Sequence, residues 1–235
     1  MTRTQSLARA AGVGLALALI APRTSPAQST HRIVVTPWAG AYVPANKLAR
    51  VGDNSSGNAG LGLEQRTGLA LGANASYWFT DRAGVEVGGL YAFSDARSIP
   101  GSSGGMPGFP AAGNRDAWVL AGSAKLMLNI LPITDRAALR FGVGPAVIRH
   151  DGNAYKADAT GALSGLTDYG AALSLCSRLP VTDFISIRLR AEDYLYRSRI
   201  QYFHGTGGGA NDIAFDARIQ NDLVFSAGLQ MVFWR

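Results

Sequence analysis

The sequence predicts an all-β fold, an antiparallel up-and-down barrel, from three features. Segments of alternating apolar and small or polar residues recur along the chain. Three similar turns each separate two such segments, and they are Thr80-Asp81-Arg82, Thr134-Asp135-Arg136 and Thr182-Asp183-Phe184. Long stretches rich in Gly, Ser, Asn and Pro join the segments at their other ends. Short turns at one end and long loops at the other are typical of a transmembrane β-barrel.

The first 27 residues have the features of a secretory signal peptide. Arg3 and Arg9 precede an apolar run at 10–21, and Ser25-Pro26-Ala27 offers small residues at the cleavage positions. The apolar run is shorter than the roughly 20 residues that a membrane-spanning helix needs. We therefore expect export, cleavage after Ala27, and a barrel domain over residues 28–235.

Composition excludes several classes of protein. The net charge of +6 includes three arginines of the signal peptide and no acid, so the mature chain carries 6 − 3 = +3. This charge is too small and too dispersed to indicate nucleic-acid binding. A single cysteine excludes an internal disulfide, and we expect no cofactor and no metal. Charged residues are 16% of the chain and hydrophobic residues 47%, which suits a lipid-facing surface.

The first three strands are predicted at 33–43, 67–79 and 83–94. The second shows the clearest alternation: its odd positions from Leu69 to Phe79 are apolar, and its even positions are mostly small or polar. After the first Thr-Asp turn the third strand continues the pattern. Loops are expected over 44–66 and 95–115.

Strands four, five and six are predicted at 116–129, 137–149 and 167–179, with a third loop over 150–166. Each strand alternates large apolar residues with small or charged ones. The large residues of one face are Trp118, Leu120, Leu126, Leu128, Leu139, Phe141, Val143, Val147, Tyr169, Leu173, Leu175 and Leu179.

The last two strands are predicted at 184–197 and 221–234, with a fourth loop over 198–220. Asp193 is the one charge on the apolar face of the seventh strand, and it lies near the loop end. Eight strands place both termini on the periplasmic side, and an even number closes the sheet without an unpaired edge.

The apolar face can point outward to lipid or inward to a core. A soluble, lipocalin-like barrel is the alternative, but its surface would be rich in glycine and poor in charge. Aromatic residues near the strand ends favour the outward assignment, as in membrane-interface girdles. They are Tyr77, Phe79 and Phe233 on the turn side, and Tyr91, Phe93, Trp118, Tyr169 and Phe225 on the loop side.

The final strand, over 223–234, alternates apolar residues and ends on aromatic ones, Phe233 and Trp234, followed by Arg235. This strand resembles the C-terminal assembly signal of the eight-stranded outer-membrane barrels typified by OmpA and OmpX, and the mature chain resembles that family from Ile33 onward. The resemblance implies a bacterial outer-membrane location and insertion by the barrel-assembly machinery through the C-terminal strand. Outer-membrane lipids and lipopolysaccharide are the implied neighbours, and the loops are implied to meet extracellular ligands.

Seven charged residues are predicted to face the lumen, five of them at similar depths and two, Arg190 and Glu192, higher on the seventh strand. They are Glu86, Lys125, Arg140, Arg178, Arg188, Arg190 and Glu192. Unpaired charges in a narrow interior are costly, so ion pairing is expected. The set would then form a salt-bridged plug, since eight-stranded interiors are normally filled. The alternative is a cation-lined constriction that favours anions.

Catalytic residues are not evident. A lipid-modifying enzyme would need a Ser, a His and an acid together, but the histidines are His31, before the first strand, and His150 and His204, in predicted loops. We therefore expect a non-enzymatic outer-membrane barrel that serves envelope integrity or surface interaction. A narrow pore or small-molecule transporter is the first alternative, and a lipid-modifying enzyme is the second.

Overall fold

A computed structural model describes residues 32–46, 48–50, 62–99, 113–131, 138–156, 161–182, 184–204, 213–214 and 219–234. Eight long antiparallel strands dominate these ranges. They are β1 Arg32–Pro44, β2 Gly68–Trp78, β3 Ala83–Ile99, β4 Gly113–Asn129, β5 Ala138–Asp151, β6 Thr167–Pro180, β7 Ile185–Arg197 and β8 Ile219–Trp234. All eight predicted strands are present, each within a few residues of its expected bounds.

The strands close into a ring. Each strand pairs antiparallel with the next along the chain, and β8 returns to pair with β1, with Val35 opposite Met231 and Val43 opposite Leu223. Every long strand therefore has a hydrogen-bonded neighbour on both sides, which leaves the barrel wall without a free edge. The predicted eight-stranded up-and-down barrel is confirmed.

The two faces of the strands differ as the outward assignment predicts. On β2, Leu69 is 55% exposed while Ala70 is fully buried. Large apolar side chains stay exposed around the ring; examples are Leu71, Val85, Val87, Leu120, Val147, Leu175, Leu189, Phe225 and Leu229. Glutamate, lysine and arginine side chains are buried inside, so the soluble alternative with an apolar interior is wrong. No helix within the described ranges is long and apolar enough to cross a bilayer.

Two of the three Thr-Asp turns are described, and the threonine closes both in the same way. The Thr80 hydroxyl oxygen accepts hydrogen bonds from the backbone N–H groups of Arg82 (3.2 Å) and Ala83 (2.9 Å). The Thr182 hydroxyl oxygen accepts from Phe184 (3.3 Å) and Ile185 (3.0 Å). This is the local bonding expected of a short polar side chain in a tight reversal. The turn at 134–136 lies outside the described residues.

The long connections contain more strand structure than predicted. The predicted second loop at 95–115 is wrong at both ends, because β3 continues to Ile99 and β4 begins at Gly113, with Asp95 opposite Asp116. Polar residues such as Asp95, Arg97, Asn114 and Arg115 interrupt the apolar alternation there, yet backbone pairing needs no apolar face. The Gly- and Ser-rich segment 101–108 lies outside the described residues.

Short strands also tie neighbouring connections together at the loop end. Gly62–Gln65, in the first connection, pairs with the end of β3, and Ala49–Arg50 pairs with Gly62–Gln65 in turn. A separate three-stranded sheet joins Gly161–Ser164, Gln201–His204 and Ile213–Ala214. The third and fourth connections are therefore held to each other above the barrel.

The interior holds large rings as well as the small residues predicted. Trp38, Tyr42, Trp78, Tyr194 and Tyr196 are all buried. Gly72 makes room for Trp38, since a Cβ atom at Gly72 would overlap the Trp38 indole on the neighbouring strand β1. Small inward residues thus serve here as clearance for large ones, which keeps the lumen filled.

Candidate functional site

Glu86 is the centre of a buried ionic network in the middle of the barrel. Its carboxylate lies 2.5 Å from Arg188, 3.4 Å from Lys125 and 3.5 Å from Arg190. Ser76 also donates a hydrogen bond to it, at 2.8 Å. All these ionic side chains are almost completely buried. A carboxylate with three cations around it compensates charges that would otherwise be costly to bury.

Glu192 forms the second half of the network. It pairs with Lys125 and lies 3.2 Å from Arg190, so Lys125 and Arg190 each bridge the two glutamates. Ser123 donates a further hydrogen bond to its carboxylate at 3.4 Å. The structure thus brings five of the seven predicted lumen charges into one connected group.

Contacts in this network run between opposite walls of the barrel. Glu86 is on β3 and Arg188 is on β7, which are four strands apart in a ring of eight. Lys125 on β4 reaches Glu192 on β7. Side chains that meet across the full width of the ring occupy the lumen at that level. We call this ionic network the plug.

Trp38 extends the plug with a polar and an aromatic contact. Its indole N–H donates to the Asn74 side-chain oxygen at 2.6 Å, and Asn74 donates in turn to Glu86 at 3.2 Å. The Arg190 guanidinium lies 4.8 Å from the centre of the Trp38 ring. A desolvated cation over an aromatic face is favourable. Sequence reasoning missed this partnership, because it depends on strands β1, β2, β3 and β7 meeting inside the ring.

Arg140 and Arg178 lie in a separate layer nearer the turn end. Arg140 donates to Asn129 at 3.1 Å and to Gln230 at 3.3 Å, and its guanidinium lies 4.5 Å from the centre of the Trp78 ring. Arg178 donates to Ser186 at 3.0 Å. The structure therefore separates Arg140 and Arg178 from the other five predicted lumen charges. A cavity of only about 20 Å³ lies beside them, room for little more than one water molecule.

His150 belongs to a third buried layer, at the loop end. The expectation that this histidine sits in a loop is wrong, because β5 extends to Asp151 and buries the imidazole completely. Its Nε2 atom lies 3.2 Å from the Tyr196 hydroxyl and 3.7 Å from the Asp222 carboxylate. Tyr196 donates to Asp222 at 2.8 Å. The side chains of His31 and His204 lie outside what the structure describes.

Tyr155 closes the loop end above His150. It lies in a short helical turn, Asn153–Tyr155, and its hydroxyl donates to Gln65 from the first connection. Burial raises the pKa of this hydroxyl well above its ordinary value, so it remains a hydrogen-bond donor at neutral pH. Among the described residues, no group of three or more His, Cys, Asp or Glu side chains is placed to hold a metal ion.

The barrel can be compared with solved structures. The solid-state NMR structure of the outer-membrane protein AlkL in lipid bilayers matches with a TM-score of 0.57 at 14% identity, over 91% of this chain and 95% of that one. The chain therefore shares the eight-stranded β-barrel fold of this outer-membrane protein. No family description and no curated protein matches its sequence.

Two further barrels align over most of their length with lower scores. Outer membrane protein W of E. coli matches with a TM-score of 0.46 at 16% identity, over 88% of this chain and 100% of that one. Ail of Yersinia pestis matches with a TM-score of 0.40 at 10% identity, over 87% of this chain and 99% of that one.

Proposed function

We propose that this outer-membrane barrel is closed to solutes and serves as a rigid, non-enzymatic platform for surface interaction and envelope integrity. The observation that carries the proposal is the ionic contact across the lumen, Glu86 with Arg188, at the level where Lys125 meets Glu192. The layer around His150 lies above this plug and the Arg140 layer lies below it. Because three packed layers block the lumen, partners make contact with the outer surface of the loop end.

The architecture of the loop end supports a role in recognition. Strands β3 and β4 continue their pairing to Ser98 and Gly113, and Gly62–Gln65 adds to the same sheet. Rigid, hydrogen-bonded backbone presents side chains more accurately than irregular loops do. In outer-membrane barrels the long connections face the outside of the cell, so this ordered end is the one that meets extracellular partners.

Ion flux through proteoliposomes tests whether the barrel is closed. The mature chain is refolded into liposomes, and the folded fraction is read from its different migration on denaturing gels before and after boiling. We expect chloride and potassium flux equal to that of empty liposomes when the folded fraction is high. A protein-dependent flux that rises with the folded fraction would overturn the closed platform.

The charge balance of the lumen favours one other function, a narrow anion pore. The seven predicted lumen charges comprise five bases and two acids, and two further carboxylates, Asp168 and Asp222, are buried nearer the loop end. Arg140 has neutral hydrogen-bond partners, Asn129 and Gln230. Such a pore would pass chloride faster than potassium, and Arg140→Gln would lower that preference. If flux is found, this variant separates a selective pore from a leak through damaged bilayer.

A lipid-modifying activity is the remaining alternative. The acylation pattern of lipid A distinguishes it from a non-enzymatic role. Mass spectrometry of lipid A from cells with and without the protein should give identical acylation patterns. A change in acyl chain number that depends on the protein would contradict the proposal.

A further inference from the structure

The outer wall of the barrel carries a groove at the loop end of β3, β4 and β5. Its volume is about 620 Å³, within the range of roughly 300–1,000 Å³ that is common for small-molecule sites. The floor includes Tyr91, Phe93 and Trp118, and the rim includes Asp95, Asp116 and Asp151. The helical turn Asn153–Tyr155 and Lys156 stand at one side.

The floor of the groove is a shelf of three aromatic rings. Tyr91 and Trp118 are stacked, with centroids 5.6 Å apart and planes 23° from parallel. Phe93 meets Tyr91 edge to face, with centroids 4.8 Å apart. The three rings hold one another in place, so little side-chain freedom is lost when a ligand settles on them. The flat, weakly polar C–H face of a sugar ring packs well on such a surface.

The rim carries hydrogen-bond acceptors. Asp95 and Asp116 are exposed and lie directly opposite each other on β3 and β4. Like charges in this position repel one another. Hydroxyl groups that donate to both carboxylates would relieve this repulsion and satisfy the acceptors at the same time. Asp151 adds a third carboxylate, which is already bonded to Arg149 at 2.8 Å and to the Gly152 backbone N–H at 2.7 Å.

Two other classes of ligand fit the groove less well. A metal ion needs convergent ligands, and the described carboxylates do not form such a group. A phosphorylated or acidic sugar would be repelled by Asp95 and Asp116, because Lys156 is the one cation among the described lining residues and Arg149 is already paired with Asp151. An uncharged polyhydroxylated ring satisfies both the aromatic floor and the acceptor rim.

The height of the groove identifies the source of the ligand. The aromatic shelf continues the exposed apolar belt through Leu120, the next outward residue of β4, and the carboxylates lie beyond the shelf toward the loop end. At this level of an outer membrane, the sugars of neighbouring glycolipids surround the barrel. A tethered neighbour has a high effective concentration, so weak affinity is sufficient for occupancy.

From these features we infer that the groove binds an uncharged sugar residue of an outer-leaflet glycolipid, with Tyr91 and Trp118 as the stacking platform and Asp95 and Asp116 as hydroxyl acceptors. An ordinary membrane girdle accounts for exposed aromatic rings, as at Tyr169, which is 76% exposed on β6. It does not account for a concave groove or for facing carboxylates. The inference rests on the proposed surface role, but its test measures binding instead of flux, so either can fail alone.

The test is calorimetric titration of the refolded barrel with a neutral fragment of core oligosaccharide that has been released from lipopolysaccharide and freed of its phosphates and acidic sugars. We expect saturable binding, weakened on the order of tenfold by Trp118→Ala. The double variant Asp95→Ala/Asp116→Ala should weaken binding to a similar degree. Tyr169→Ala, which removes an exposed aromatic ring outside the groove, should leave the affinity unchanged. Heat-dependent gel migration confirms that each variant is folded.

Three outcomes would overturn the inference. The first is an absence of binding by the folded wild-type barrel at millimolar oligosaccharide. The second is an equal loss of affinity in Trp118→Ala and Tyr169→Ala, which would indicate a non-specific girdle effect. The third is binding of an unrelated neutral hexose oligosaccharide without binding of the glycolipid-derived one, which would exclude the membrane glycolipid as the source.

Discussion

Glu86 has more ionic partners than any other buried charge within the described ranges. Its carboxylate faces Lys125, Arg188 and Arg190 within 3.5 Å. The sequence indicated that these residues face the lumen, because each falls on the small-residue face of its strand. It could not indicate which pairs form, because Glu86 and Arg188 lie 102 positions apart and meet only when the ring closes.

Removal of the Glu86 charge should therefore destabilise the barrel strongly. Glu86→Gln leaves three buried cations around a neutral amide, and we expect a loss of about 3–5 kcal/mol in the free energy of unfolding. Urea titration in lipid vesicles, followed by tryptophan fluorescence, measures it. Arg149→Gln is the matched control: Arg149 is about half exposed and forms an ion pair with Asp151, so its loss should cost under about 1 kcal/mol. Equal effects would show that the lumen charges are well hydrated.

The Trp38 indole packs against Gly72, where there is no room for a side chain. A Cβ atom at Gly72 would overlap both the Trp38 indole and the backbone oxygen of Gly89, whereas one at Gly89 would meet only the backbone oxygen of Ala121, at an ordinary 3.5 Å. Gly72→Ala should displace the indole and cost about 1–3 kcal/mol, while Gly89→Ala should be nearly neutral. Unfolding midpoints in urea compare the two. The same result for both would mean that Trp38 moves aside freely.

Among the strands and turns, the predictable features are those whose cause is local. The eight strands followed from alternation because one face meets lipid and the other meets the packed lumen. The extensions of β3 to Ile99 and of β4 back to Gly113 were missed, because polar residues interrupt the apolar alternation there. His150 was misplaced for the same reason: it lies near the end of β5, where the pattern predicts a loop.

The turn threonines permit a test of local bonding. Thr182→Ala removes the acceptor for two backbone N–H groups, those of Phe184 and Ile185. We expect a loss of about 1 kcal/mol in the free energy of unfolding. Thr182→Ser keeps the hydroxyl and should restore most of the stability. If Ser behaves like Ala, the methyl group of the threonine and not its hydroxyl stabilises the turn.

For the molecule as a whole, the central property is that the apolar face points outward. The ring closes through β1 and β8, exposes large apolar side chains and buries ionic ones. Leu189, on β7, lies beside Ala227 near the middle of this belt, whereas Tyr169 lies at its loop end. In a bilayer these two positions differ in depth, and the cost of a charge depends on depth.

Arginine substitutions at these two positions therefore test the membrane orientation directly. Leu189→Arg should cost about 2–4 kcal/mol in lipid vesicles, and Tyr169→Arg about 0–1 kcal/mol, because only the first charge lies in the hydrocarbon interior. Urea unfolding in vesicles measures both. If this exposed face lay in water instead of lipid, both substitutions would have small effects on stability. Lipids with different headgroup charges provide the control. The stability of Tyr169→Arg, at the interface, should respond to headgroup charge, whereas the loss of stability in Leu189→Arg, in the hydrocarbon interior, should stay the same.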